Sequence, residues 1–277
     1  MIKSILLSID GSVYTESAIK TGIHLAEKFD AHLHVLSVID VRTFDWAMSG
    51  ANAFAPIIPS SAYLEENKNF QSDKAKAILE KSEELLKMAS IKYTLEIASG
   101  APADVICEHE RTADLVIMGA SGDFTEDQSK IIGENLEAVT RQTFKPLLIV
   151  AKAFRPVKSI LAAYDGGQLA NKGIALAGYF ARRLDIPVTV LTASTNEEEA
   201  SSLLHEAQKY LNYYNIEFKL LHLDGQAETI IHDYANANDM DLIFMGAYGR
   251  SRIREAILGS TTQTVIQNAQ MPVLLAK

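Results

Sequence analysis

The chain repeats itself, and that fact limits its fold more than any other. "KSILLSIDGS" from Lys3 to Ser12 returns as "KSILAAYDGG" from Lys158 to Gly167. "DLVIMGASG" from Asp114 returns as "DLIFMGAYG" from Asp241, and "KPLLIVAK" from Lys145 returns as "MPVLLAK" from Met271. Three blocks in the same order describe a tandem duplication, with a junction near "AFRPV". The spacing between the first and second blocks is 28 residues longer in the first copy. The excess falls around "RTFDWAMSGANAFAPIIPSSAYLEEN". Two domains are expected, at residues 1–153 and 154–277, with an insertion over about residues 41–66.

Within each copy, short apolar runs alternate with helical periodicity. "ILLSI" and "ILAAY" lack the in-out alternation of a half-solvated strand, as expected where both faces of a parallel sheet are covered. After them, Ala18, Ile19, Gly22, Ile23, Ala26 and Phe29 form one helical stripe, and Leu169, Gly173, Leu176, Ala177, Phe180 and Leu184 form its counterpart. Further strand and helix signals follow in turn, ending in an edge strand that contains Pro146 or Pro272. The reading is α/β: two tandem domains, each an open five-stranded parallel sheet with helices on both faces. The final strands, "LLIVA" and "VLLA", are exposed edges able to pair between copies, which suggests an internal pseudo-dimer and further homodimerisation. In such sheets a ligand lies beyond the carboxyl ends of the strands, where strand order reverses. Asp10, Asp165, the end of the second strand and the Met-Gly turns are therefore the positions of interest.

Composition narrows the partners. A net charge of −9 argues against nucleic acid as a general partner, since affinity there comes from Lys and Arg on phosphates. Any anion site has to be local. The single Cys107 cannot form an internal disulfide and reads as a small packed residue. The apolar run at the amino terminus is too short for a signal-peptide core or a membrane span, so a cytoplasmic protein with no membrane partner is expected.

The local site stands out in "MGAYGRSRIREAILGSTTQ", Met245 to Gln263. Gly246 and Gly249 follow a strand, where glycine lets a ligand approach the main chain. Gly259 and Ser260 stand at a helix start, whose unpaired N–H groups and dipole attract anions, with the Ser260 and Thr261 hydroxyls adding donors. Arg250, Arg252 and Arg254 against Glu255 give a local +2, and the arginine fork suits phosphate oxygens. The competing reading is that the glycines only make turns and the arginines sit in solvent. Asp165 is similarly divided between a turn hydrogen bond and a ligand contact.

Gly-x2-Gly-x9-Gly followed by Ser resembles the nucleotide-binding signature of the universal stress protein family. Similarity of block order covers almost the whole chain twice. The resemblance implies flavodoxin-like domains and ATP with Mg²⁺ bound in the second copy. It would place Asp165 at the ribose or adenine side and the backbone near Thr192 at adenine, with Met245, Gly246, Gly249, Gly259, Ser260 and Thr261 as the phosphate wall. A regulator whose ATP biases assembly or partner binding is the leading expectation. A slow ATPase or adenylyl-transfer enzyme, and a nucleotide-independent stress interaction protein, are the alternatives.

The first copy departs from this pattern. Ten residues rather than nine separate Gly122 from Gly133, Glu134 replaces the serine, and Asp123, Glu126 and Asp127 against Lys130 sum to −2. Triphosphate binding is not expected there. His32 and His34 share a strand face, but no matching carboxylate or cysteine spacing supports a metal site. The insertion carries Phe44, Trp46, Phe54 and Tyr63 and reads as a locally packed loop, a partner surface or a lid.

Overall fold

The computed structural model describes residues 1–42, 61–122, 132–249 and 258–277. The first half runs β1 (Ser4–Ile9), α1 (Thr15–Phe29), β2 (His32–Asp40), α2 (Ser61–Lys87), β3 (Tyr93–Gly100), α3 (Pro102–His109), β4 (Leu115–Gly119), α4 (Glu134–Gln142) and β5 (Leu147–Val150). The second half repeats the order with β6 (Ile160–Ala163), α5 (Gln168–Leu184), β7 (Val188–Ala193), α6 (Glu197–Leu211), β8 (Phe218–Leu223), α7 (Ala227–Ala237), β9 (Leu242–Gly246), α8 (Ser260–Asn268) and β10 (Val273–Ala276).

The duplication is visible down to the helix stops. α1 ends on Asp30 at φ 51° and α5 on Asp185 at φ 58°, both left-handed. The residue after each returns a hydrogen bond to the last turn, Ala31 N–H to Ala26 C=O at 3.0 Å and Ile186 N–H to Ala181 C=O at 3.1 Å. Aspartate tolerates this conformation better than most side chains, so it serves where glycine often would.

The strands form one ten-stranded sheet in the order β3-β2-β1-β4-β5-β10-β9-β6-β7-β8. Each half is parallel throughout, and the two meet where β5 and β10 pair antiparallel, Val273 opposite Ile149 and Leu275 opposite Leu147. The expected pairing of the last strands therefore occurs within the chain. All eight residues of β5 and β10 are buried, as an apolar edge requires. Pro146 and Pro272 sit one residue before these strands rather than inside them. Their carbonyls accept from Val116 N–H and Ile243 N–H, each at 3.0 Å. A proline there gives up no ladder donor, because only its carbonyl is used.

Two hydrophobic layers cover the sheet, and each is continuous across both halves. One joins Leu7, Phe29 and Leu148 to Phe180, Phe244 and Leu274; the other joins Leu6 and Ile149 to Leu161, Met245 and Leu275. Phe29 of α1 meets Phe180 of α5 edge-on at 4.8 Å between ring centroids, and Phe180 meets Phe244 at 5.1 Å. Among the described residues, no helix is long and apolar enough to cross a membrane.

Strand order reverses between β1 and β4, and again between β6 and β9. Two equivalent crevices are thereby created at the carboxyl ends of these strands.

Candidate functional site

In the second half, β6 runs out through Ala163 and Tyr164 to Asp165. The Asp165 carboxylate accepts the Gly167 N–H at 2.8 Å through Oδ1, so the turn role weighed for it is filled. Gly166 supports that turn at φ 76°, a region closed to most side chains. The other oxygen, Oδ2, faces the glycine loop: a Cβ placed on Gly249 would lie 3.8 Å from it. The turn therefore aims Asp165 at the loop.

The glycines divide by what surrounds them. A Cβ on Gly246 would meet the Leu169 Cβ at 3.0 Å and the Ala170 N at 3.3 Å, so this glycine lets the loop press against the first turn of α5. Gly249 and Gly259 lie side by side, with Gly249 N 3.7 Å from a Cβ on Gly259 and more room on both. Gly259 is the residue that precedes α8, whose start has no side-chain cap among the described residues, and Ser260, the first helical residue, is exposed. Asp165, Gly249, Gly259 and Ser260 thus form one contiguous wall.

The remaining expected residues differ in what they can offer. The Met245 side chain is buried in the core, leaving only its backbone at the wall. Thr192 is buried, and its hydroxyl donates to Tyr164 C=O at 3.0 Å, tying the end of β7 to β6. The Thr261 hydroxyl faces Glu228 Oε2 of α7 at 3.3 Å. Arg250, Arg252 and Arg254 lie outside the described residues. So does most of the insertion, with Phe44, Trp46 and Phe54.

Two residues escaped the sequence reading. The buried Thr262 donates to Gly246 C=O at 3.1 Å, pinning the glycine loop to α8. Tyr248, inside the Gly-x2-Gly segment, places its hydroxyl 3.5 Å from Thr140 C=O of α4 in the first half. The Lys277 ammonium stands 4.7 Å from the Tyr248 ring centroid and also reaches Thr140 C=O. Burial pulls the Lys277 ammonium down from 10.5 to about 8. The glycine loop of one half thus rests on a helix of the other.

The first half has the same crevice with different contents. Asp10 accepts Ser12 N–H at 3.0 Å, matching Asp165. Glu134, the first residue of α4, is bound to Arg42 Nη1 at 3.3 Å, so its carboxylate is compensated by a cation from just beyond β2.

Both halves therefore present the same strand-end crevice, one with an exposed Gly-Ser helix start and the other with a carboxylate there. The sequence matches the model of the universal stress protein family over residues 1–151 and 192–277. The chain belongs to the universal stress protein family. The universal stress protein Slr1230 of Synechocystis sp. is 29% identical, over 99% of each chain. A universal stress protein from Archaeoglobus fulgidus has the same fold at a TM-score of 0.75, with 21% identity over 99% of this chain and 96% of that one. A putative universal stress protein from Pseudomonas aeruginosa aligns at a TM-score of 0.69, with 18% identity over 100% of this chain and 93% of that one. β6, α5 and Asp165 fall between the two matched segments, yet the sheet puts them where β1, α1 and Asp10 stand in the other half of this universal stress protein.

Away from the crevices, the two strand histidines have found partners, His32 at Thr94 Oγ1, 3.2 Å away, and His34 at Glu96, which also meets His109 at the end of α3. His34 Nε2 lies 2.8 Å from Glu96 Oε2, and His109 Nε2 lies 3.1 Å from Glu96 Oε1. Among the described residues no group of three His, Cys, Asp or Glu could hold a metal. The bond from His109 lowers the Glu96 carboxyl below 4.5. Burial works against the His109 cation, but its bonds to Val105 C=O and Glu96 outweigh it and raise the group above 6.5. A raised histidine stabilises the fold below 6.5 and loses that contribution as pH climbs through its folded value. A lowered carboxyl stabilises above 4.5 and loses it as pH falls through its own. The cluster is therefore expected to contribute most between these limits, by less than about 1 kcal/mol at this exposure. Glu96→Gln should flatten the stability profile from pH 5 to 8 in denaturant titrations. An unchanged profile would remove the cluster from the account. Elsewhere on α3, burial pushes the Cys107 thiol up to about 12, which leaves it a poor nucleophile and fits a packing role.

Proposed function

We propose that this protein is a nucleotide-binding regulator whose second domain, residues 154–277, binds ATP with Mg²⁺, while the first, residues 1–153, does not take a triphosphate. The observation that carries the reading is the contiguous wall of Asp165, Gly249, Gly259 and exposed Ser260 at an uncapped helix start. Backbone N–H groups of α8 and the Ser260 hydroxyl would hold phosphate oxygens, favoured by the helix dipole. Asp165 Oδ2, facing the same wall, would accept a ribose hydroxyl. Arg250 and Arg252 would add charge by sequence position. Mg²⁺ would be held chiefly by the phosphates and water, as this ion commonly is.

ATP bound to the folded state stabilises it by mass action, and a state that binds better becomes more populated. The contact of Tyr248 with Thr140 is the route by which occupancy would reach the first half. Regulation of assembly in the cytoplasm, as a homodimer with paired internal domains, completes the proposal. Calorimetric titration with ATP and Mg²⁺ is expected to give one site per chain; no heat and no thermal shift would favour a nucleotide-independent interaction protein. Labelled ATP is expected to return intact after long incubation, whereas stoichiometric turnover would favour the ATPase or adenylyl-transfer alternative.

One contact opposes phosphate at this wall: Glu228, 3.3 Å from the Thr261 hydroxyl. Glu228→Gln keeps a hydrogen-bond acceptor and removes the charge. Affinity for ATP is expected to rise about 3-fold to 10-fold, on the scale of a single screened charge contact. A lower affinity would show that Glu228 helps to hold the ligand.

A further inference from the structure

A cavity of about 370 Å³ opens in the first half at the carboxyl ends of β1, β2 and β4. That volume is within the range of small-molecule sites. Ile39, Ile78 and Ile106 are among the apolar residues lining it. Its arginine is already engaged by the rim's own acceptors. Arg42 donates from Nε to Asp40 at 3.0 Å, from Nη2 to Asp40 at 2.7 Å and to Asn135 Oδ1 at 2.8 Å, and from Nη1 to Glu134 at 3.3 Å. Every guanidinium nitrogen has an acceptor, so the fork that would clamp an incoming phosphate is already occupied.

The charge balance points the same way. Among the described residues, Asp10, Asp40 and Glu134 outweigh Arg42 and Lys74 around the cavity, leaving that part of the rim net negative. A phosphate chain would meet like charge and lose water without compensation. Asp10 offers an acceptor instead: its Oδ2 lies 3.0 Å from where a Cβ of Gly122 would stand, at the cavity edge. An apolar floor with an acceptor at its edge suits an uncharged body bearing hydroxyl donors.

We propose that the first half is a second, separate ligand site for an uncharged, hydroxyl-bearing molecule of nucleoside size, with the Glu134 carboxylate, paired with Arg42, standing where a phosphate would. The ATP reading of the second half enters only through the choice of probe, adenosine. Isoleucine methyl NMR on the full chain reads the two halves apart, because Ile39, Ile78 and Ile106 line this cavity. Adenosine is expected to shift these three methyls to saturation. ATP with Mg²⁺ is expected to need at least about 10-fold more for the same shift, from like-charge opposition. In the Arg42→Ala, Glu134→Ser double variant the preference should narrow or reverse. Unmoved methyls with adenosine up to its solubility limit would overturn the proposal, as would equal response to ATP in the wild type. Should the double variant lose its methyl dispersion, the wild-type comparison alone decides. Failure of ATP to bind the second half would appear in calorimetry while leaving these methyl shifts unchanged.

Discussion

Ser260→Glu is expected to weaken ATP binding about 100-fold. The substitution removes an exposed hydroxyl at the first residue of α8 and installs the carboxylate that Glu134 presents at the first residue of α4. A hydrogen bond to a charged group contributes roughly 1.5–3 kcal/mol, and each 1.4 kcal/mol is about tenfold in affinity. Repulsion from the new charge adds to that loss. The fold itself should tolerate the change, since Ser260 is exposed and an acid in the first turn suits the helix dipole. Calorimetry measures the affinity, and thermal unfolding without nucleotide checks stability. Equal affinity in the two proteins would show that phosphate is not held at this helix.

Phe180→Ala is expected to cost roughly 3–5 kcal/mol, the usual range for emptying a buried aromatic site. Phe180 is fully buried and touches Phe29 from the first half and Phe244 from its own. Since a shift of about 2–4 °C accompanies each kcal/mol in a chain of this size, the unfolding midpoint should fall by about 10 °C. Both halves share this layer, so secondary-structure loss should remain a single transition. Phe144→Ala, at an 87% exposed position, should change stability by less than about 0.5 kcal/mol. A Phe180 variant that melts in two steps, with the first half unmoved, would mean that the halves are energetically independent.

Much of this architecture is legible in the chain because its causes are local. Apolar runs and 3.6-residue stripes come from which face of each element is buried, and the duplication lets each copy check the other. The pairing of β5 with β10 was also foreseeable, since "LLIV" and "VLLA" leave apolar edges that must be covered. The Gly-x2-Gly-x9-Gly-Ser spacing singles out Gly249, Gly259 and Ser260, and the fold brings them together.

What escaped reading depends on residues far apart in sequence. His34 and Glu96 are 62 positions apart, and only the parallel register that sets His34 against Thr94 brings Glu96 beside the histidine on the same face. Arg42 and Asn135 are separated by 93 positions. In the sequence Glu134 is therefore a bare charge, whereas the fold supplies its counter-ion, Arg42, from just beyond β2.

The chain alone determined the repeat, the order of strands and helices, and the sign of charge at each helix start, because these follow from neighbours within a few residues. Tertiary structure decided which glycine is pressed against α5 and which has more room among the described residues, and that Tyr248 would lean on the opposite half. It also decided that one crevice would engage its own arginine with Asp40 and Glu134. Those outcomes depend on distances across strands and between copies, and a linear pattern of residue types carries no information about such distances until the sheet sets its register and the two edges join.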